Sequence, residues 1–270
     1  MNILLDFFFI GSMDLGPAGA ALGTVLSQAF SVALSLVVIG GRRRNTELAG
    51  IRPFADRKVT GKILKIGLPV ALQDGFIQIA FMMITIFANH RGLQDAAAVG
   101  IVEKLIGILF LLPSSMLQAV SALSAMNIGA GKEERARQTL FYGCGIAFLW
   151  GWMAVLLMHF GDRTIIGLFS HSPQVVELGC QYMKGSVWDC MFAGIHFCFS
   201  GYFCALGLSG LSFLHNALSI VCVRVPLSYF AARYFTDTLF PMGLASPAGS
   251  VLSVFICLGA YLWLRRRAKK

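Results

Sequence analysis

Asp74 and Gln78 stand four residues apart, one helical turn, in an apolar stretch entered through Pro69, with Gln73 beside them. Residues at that spacing share a helix face. A carboxylate with amide neighbours in such a setting can hold a sodium ion through hard oxygen ligands, or accept a proton. The bland alternative is a carboxylate near the aqueous boundary. A second acid, Asp189, follows Trp188 and precedes His196 by seven residues, two helical turns along the same face. Asp189 could face a cavity, or pair with Lys184 or Arg224. His196 could relay protons, since imidazole titrates near neutrality, or bond a neighbouring helix. Ionisable groups in apolar spans are costly and are functional candidates by default.

Other polar residues in the spans have structural readings. Arg224, two residues before Pro226, is expected to act as a counter-ion to an acid, or to bond carbonyls that the proline frees. Asn127 and Asn216 are expected to hydrogen-bond between helices. Asp95, Glu103 and Lys104 are read as the start of a helix outside the hydrocarbon, with an internal ion pair as the alternative for Glu103 and Lys104. Phe76, Met82 and Met83, with Phe81 and Phe87, give the stretch after Pro69 a soft apolar surface that could adapt to varied ligands, or simply face lipid and other helices.

Composition says what must position these groups. Hydrophobic residues make up 57% of the 270 and charged residues 13%, about half the charge of an ordinary soluble domain; mean hydropathy is +0.73. Apolar runs recur, each long enough to cross a bilayer core of about 30 Å as a helix, and too continuous for barrel strands. The expected spans are 2–11 (partial), 15–40, 66–89, 97–130, 140–160, 175–206, 211–235 and 247–264, with Pro113 kinking the 97–130 span. The net charge of +9 does not point to nucleic acid, because its placement alternates. Arg42 to Lys65, Lys132 to Arg137, and Arg265 to Lys270 fall on one side, while the intervening loops hold few charges. This pattern puts the basic loops and the C-terminus in the cytoplasm of a multi-pass cell-membrane protein.

Chemistries of other kinds find no support. The seven cysteines lie in apolar stretches without a CxxC pair, which suits buried small hydrophobes better than a disulfide or zinc framework. Gly129-Ala130-Gly131-Lys132 resembles the end of a phosphate loop, but Met126 replaces the first glycine and Glu133 the magnesium-binding hydroxyl. HExxH and GxSxG are missing, so the chain is not read as an enzyme and no cofactor is expected; energy would come from an ion gradient or a partner.

A faint internal match suggests a repeat. Pro17-Ala18-Gly19 opens one span and Pro247-Ala248-Gly249 another, and each span ends in three arginines, Arg42 to Arg44 and Arg265 to Arg267. The fold class expected is all-α and polytopic: the last two helices of one six-helix repeat (1–40), a basic cytoplasmic linker (41–65), and a complete second repeat with its basic tail (66–270).

The motif order resembles the multidrug and toxic compound extrusion (MATE) family. Asn2-Ile3-Leu4-Leu5-Asp6, then Gly16-Pro17-Ala18-Gly19-Ala20-Ala21-Leu22-Gly23-Thr24-Val25-Leu26-Ser27-Gln28, looks like its fifth-to-sixth helix region. Ile66-Gly67-Leu68-Pro69 resembles the start of the seventh helix, Asn127 to Lys132 the end of the eighth, and Cys222 to Tyr229 the eleventh. The resemblance implies two six-helix lobes around a central cavity, and export of cationic or amphipathic drugs against entering sodium ions or protons. The first four helices of that arrangement, most of the N-lobe, lie outside this chain, so it is expected to be inactive alone. One branch of the family binds its cation through a glutamate on the seventh helix and an aspartate on the tenth. Here the seventh offers Asp74 and Gln78, and Asp189 comes earlier than that aspartate. The alternatives are a lipid-linked oligosaccharide flippase of the same superfamily, or a non-transporting membrane protein.

Overall fold

A computed structural model of the chain describes residues 1–44 and 57–268. The middle of the expected basic linker, 45–56, and the terminal Lys269 and Lys270 lie outside those residues. The described chain is helical, and six of its helices are long and apolar enough to cross a membrane. It divides into two compact units, Met1–Asp56 and Arg57–Lys270.

In the first unit, α1 (Asn2–Asp6) runs on as a π-helical turn, Phe7–Ser12, and packs on α2 (Gly16–Arg44). Asn2 Nδ2 donates to Thr24 Oγ1 at 3.3 Å, joining the two.

The second unit starts with α3 (Arg57–Arg91), α4 (Leu93–Leu109) and α5 (Leu111–Gly129), followed by α6 (Glu133–Gly167). Next come α7 (Pro173–Ser186), α8 (Asp189–Ala205), α9 (Ser209–Ser219), a π-helical turn (Ile220–Arg224) and α10 (Val225–Tyr234). The short α11 (Phe240–Gly243) leads into α12 (Ala245–Ala268). Local chemistry sets many of these ends. Glu133 and Glu134 open α6 and Arg265 to Arg267 close α12, each complementing the helix dipole. Pro173 opens α7, where a missing N–H costs nothing.

Helix α8 is the centre, with α5, α6, α9 and α12 packed around it. One apolar core joins α4, α6 and α7; another joins α5, α8 and α12. The small residues Gly143, Ala147 and Gly151 recur at four-residue spacing along α6. Gly143 lies under Val120 of α5, while Ala147 and Gly151 lie under Gly194 and Met191 of α8. That is how backbones come close where lipid supplies no hydrophobic drive between helices.

The stretch 97–130 lies almost wholly within one candidate crossing, Leu93–Gly129, interrupted at Phe110, three residues before Pro113, where the kink is expected. Pro113 has no N–H for the Leu109 carbonyl four residues back, and Trp150 Nε1 donates to that carbonyl at 2.9 Å. Pro69 behaves alike: the Lys65 carbonyl it leaves free accepts from Ser209 Oγ at 3.3 Å. Other expectations about the spans are corrected. The stretch 175–206 is broken at Val187–Trp188 into α7 and α8. Glu103 and Lys104 do not begin a helix; they lie well inside α4, which starts at Leu93. The span expected at 140–160 runs further: Asp162 and Arg163 lie within α6, and Asp162 is buried 3.8 Å from Lys184 Nζ.

At the end of α3, Arg91 ties three elements together. Its Nε donates to Asp95 Oδ2 at 2.6 Å, and its terminal nitrogens donate to the carbonyls of Phe235 at 2.6 Å and Thr236 at 2.9 Å, in the turn between α10 and α11. Arg91→Ala is expected to lower the unfolding free energy by about 2 kcal/mol. Arg91→Lys should recover little of it, because an ammonium cannot serve this fan of acceptors. Thermal unfolding of the purified chain in detergent checks both.

Candidate functional site

The break at Val187–Trp188 puts Asp189 in the first turn of α8. Gly185 and Gly243 let α7 and α11 touch backbone to backbone just before the break. Asp189, 2% exposed, accepts from Arg224 Nη2 at 2.5 Å and from Ser250 Oγ. Arg224, 7% exposed, reaches Asp189 from the π-helical turn before Pro226, and its guanidinium lies 5.6 Å from the centre of the Phe81 ring. Of the two roles expected for Arg224, the counter-ion is the one built. Lys184, the other expected partner of Asp189, faces Asp162 instead.

Glu103 belongs to the same cluster. Tyr182 donates its hydroxyl to Glu103 Oε1 at 2.6 Å, and Glu103 lies within electrostatic reach of both Arg224 and Asp189. A carboxylate well inside an apolar helix, with Asp95 already serving that helix's first turn, was the legible hint. Tyr182, 79 positions away, left none.

His196 is buried beside this cluster. With Phe81, Phe110, Arg224 and Ser250 it lines a cavity of about 40 Å³, room for a water or two. Its Nδ1 has no hydrogen-bond partner, and neither has Arg224 Nε. A second histidine, His215, has its ring centre 5.6 Å from that of His196 and is held between Ser200 (2.8 Å) and Ser253 (3.2 Å). The chain thus brings together Glu103, Tyr182, Asp189, Arg224, Ser250 and His196.

The α3 candidates are split. Gln73 turns inward and accepts from Ser212 Oγ of α9 at 2.6 Å. Asp74, Gln78 and Met82 are on the exposed side of α3, with Met83 half-buried. Phe76, also half-buried, packs edge-on against Phe213 at 5.5 Å. Among the described residues, Asn127 and Asn216 do not bridge helices: each donates to the carbonyl four residues back in its own helix, at 2.8 and 3.1 Å. Among the described residues no group of three or more His, Cys, Asp or Glu comes together to hold a metal.

Residues 69–230 match the MatE family model. "Probable multidrug resistance protein YpnP" of Bacillus subtilis is 28% identical, aligned over 98% of this chain and 58% of its own length. "Probable multidrug resistance protein YoeA" of the same organism is 21% identical with the same shares. A crystal structure of the Vibrio cholerae MATE transporter VcmN superposes with a TM-score of 0.86 at 17% identity, over 98% of this chain and 60% of VcmN. The chain therefore spans about 58% of the length of these two curated relatives.

Proposed function

The chain belongs to the MatE family, and on that footing we propose that it forms part of an antiporter exporting cationic or amphipathic drugs in exchange for protons or sodium ions. The transporting unit has the full length of the relatives, and these residues supply about 58% of it. Transport is assigned to the complete two-lobed protein, set in the cell membrane with its basic loops and C-terminus in the cytoplasm. Expressed alone, the chain is inactive.

A charge count supports coupling to an ion. Two carboxylates, Glu103 and Asp189, stand against one guanidinium inside a membrane bundle: Arg224 pairs with Asp189 and lies within electrostatic reach of Glu103. Buried charge is stable only when balanced. One further cation, a proton or a sodium ion held by carboxylate and hydroxyl oxygens, balances the cluster. If that cation binds one facing of the transporter more tightly than the other, its gradient drives the conformational cycle. Asp74 and Gln78, on the exposed side of α3, are assigned to the central cavity, where a carboxylate suits a cationic drug and Phe76 and Met82 its apolar body. Gln73, held by Ser212, positions α3. The flippase reading is weaker, because Arg224, the arginine it would need for pyrophosphate, is already engaged by Asp189.

Glu103→Gln in the complete exporter is the test, read as ethidium efflux from everted vesicles under an imposed pH or sodium gradient. Efflux is expected to lose its dependence on the gradient while the variant inserts and melts normally. Asp74→Asn is expected to raise the drug concentration needed for half-maximal efflux. Undiminished gradient-driven efflux in both variants would sink the proposal.

A further inference from the structure

A second cavity, of about 400 Å³, opens where α5, α8 and α12 finish. Two helix stops form its rim. Gly131 (φ +72°) ends α5 and Gly207 (φ +75°) ends α8. In each, the N–H after the glycine returns into the last turn, Lys132 to Asn127 and Leu208 to Phe203, both 2.8 Å. These are Schellman closures, so the phosphate-loop-like Gly129 to Lys132 is a helix cap. The first stop brings Arg137 and Glu133 of α6 to the cavity, and the end of α12 brings Arg265.

The inner wall is two tyrosines. Tyr202 and Tyr261, 8% and 7% exposed, have ring centres 6.1 Å apart and both line the cavity. Among the described residues, neither hydroxyl is hydrogen-bonded to the protein. Tyrosine hydroxyls with buried rings ordinarily find a partner. The rest of the lining is apolar, notably Leu206 and Leu264. Among the described residues, the charged side chains that line the cavity are Arg137 and Arg265 as cations and Glu133 as an anion, with Glu134 just outside, paired with Arg137. Among these described residues, with Glu134 included, two positive charges meet two negative ones. An occupant matched to it has an anionic group for the arginines and tyrosines, a cationic donor for Glu133, and hydrocarbon.

We propose that this cavity binds a phospholipid of the ethanolamine class. Its phosphate lies between Arg137 and Arg265, where the tyrosine hydroxyls can donate to it, its ammonium on Glu133, and an acyl chain along Leu206 and Leu264. A choline headgroup has no N–H for Glu133, and a glycerol headgroup has no positive charge for it. The cavity is at the basic end of the bundle, where headgroups meet the helices.

Native mass spectrometry of the full chain, loaded with equimolar dioleoyl-phosphatidylethanolamine, -phosphatidylglycerol and -phosphatidylcholine, tests this. The ethanolamine adduct is expected to exceed each of the others about tenfold, the worth of one good charge-assisted bond. Arg137→Ala with Arg265→Ala should remove that excess. Losing the exposed pair with Glu134 alters stability little, so the variant folds. Tyr202→Phe with Tyr261→Phe keeps the rings and should also weaken the adduct. Glu133→Gln should make ethanolamine and choline lipids equivalent. Equal adducts for the three lipids in the unaltered chain, a glycerol lipid preferred, no adduct, or an ethanolamine adduct indifferent to the arginine pair would each overturn the proposal.

Discussion

Arg224→Ala lowers the unfolding free energy of the chain by about 4 kcal/mol, and adding Asp189→Ala returns most of it. The single change leaves Asp189 almost fully buried, with Ser250 as its remaining partner and Glu103 a second carboxylate within reach. A buried ion pair adds little net stability over apolar groups, but one stranded partner is costly. The double variant strands neither. Arg224→Ala also removes the guanidinium from over Phe81, a loss the second change cannot return, so recovery should be incomplete. The measurement is a double-mutant cycle on the purified chain, by denaturant titration in mixed micelles, with coupling read as the departure from additivity. Losses that simply add would show that Asp189 and Arg224 are not held as a pair.

Gly151→Leu is expected to cost about 3 kcal/mol, and to lower the yield of folded protein in membranes. A Cβ on Gly151 would come within 2.8 Å of both Met191 N and Met191 Cβ. The obstacle includes backbone, so no rotamer relieves it. Helix α6 would have to lift off α8, two residues beyond Asp189, and the acid would lose its register with Arg224. Gly145→Leu on the same helix is the control, since nothing lies within 4 Å of the corresponding position. Equal melting temperatures for the two variants would refute the close crossing.

How much of this was legible depends on the range of the interaction. Spans were legible because the demand for about 20 apolar residues is local. The small-residue spacing of Gly143 and Ala147 was legible for the same reason, and so were the two groups that form the ion pair, since a charge in an apolar run stands out. The pairing itself was one of several possible. Asp189 and Arg224 are 35 positions apart, and nothing along the chain ranks Arg224 above the nearer Lys184. The break before Asp189 was not legible either, because no proline marks it and the close contact beside it, α11 against Gly185, joins distant segments. Glu103 was misread because an acid next to a lysine looks like a helix end; only the fold reveals Tyr182 opposite it.

The interruptions in these helices fall together. Phe110 between α4 and α5, the π-helical turn at Ile220–Arg224, and the new start of α8 at Asp189 all border the small cavity or its ion pair. A rod flexes where its ladder of hydrogen bonds is already cut, and neighbouring rods cut at the same place share a crease. The lobe is thereby scored along the line where its charges lie. Bending there changes the distances among Glu103, Asp189 and Arg224 before it disturbs the apolar packing on either side, so the polar cluster is the part of the bundle that feels a change of shape first.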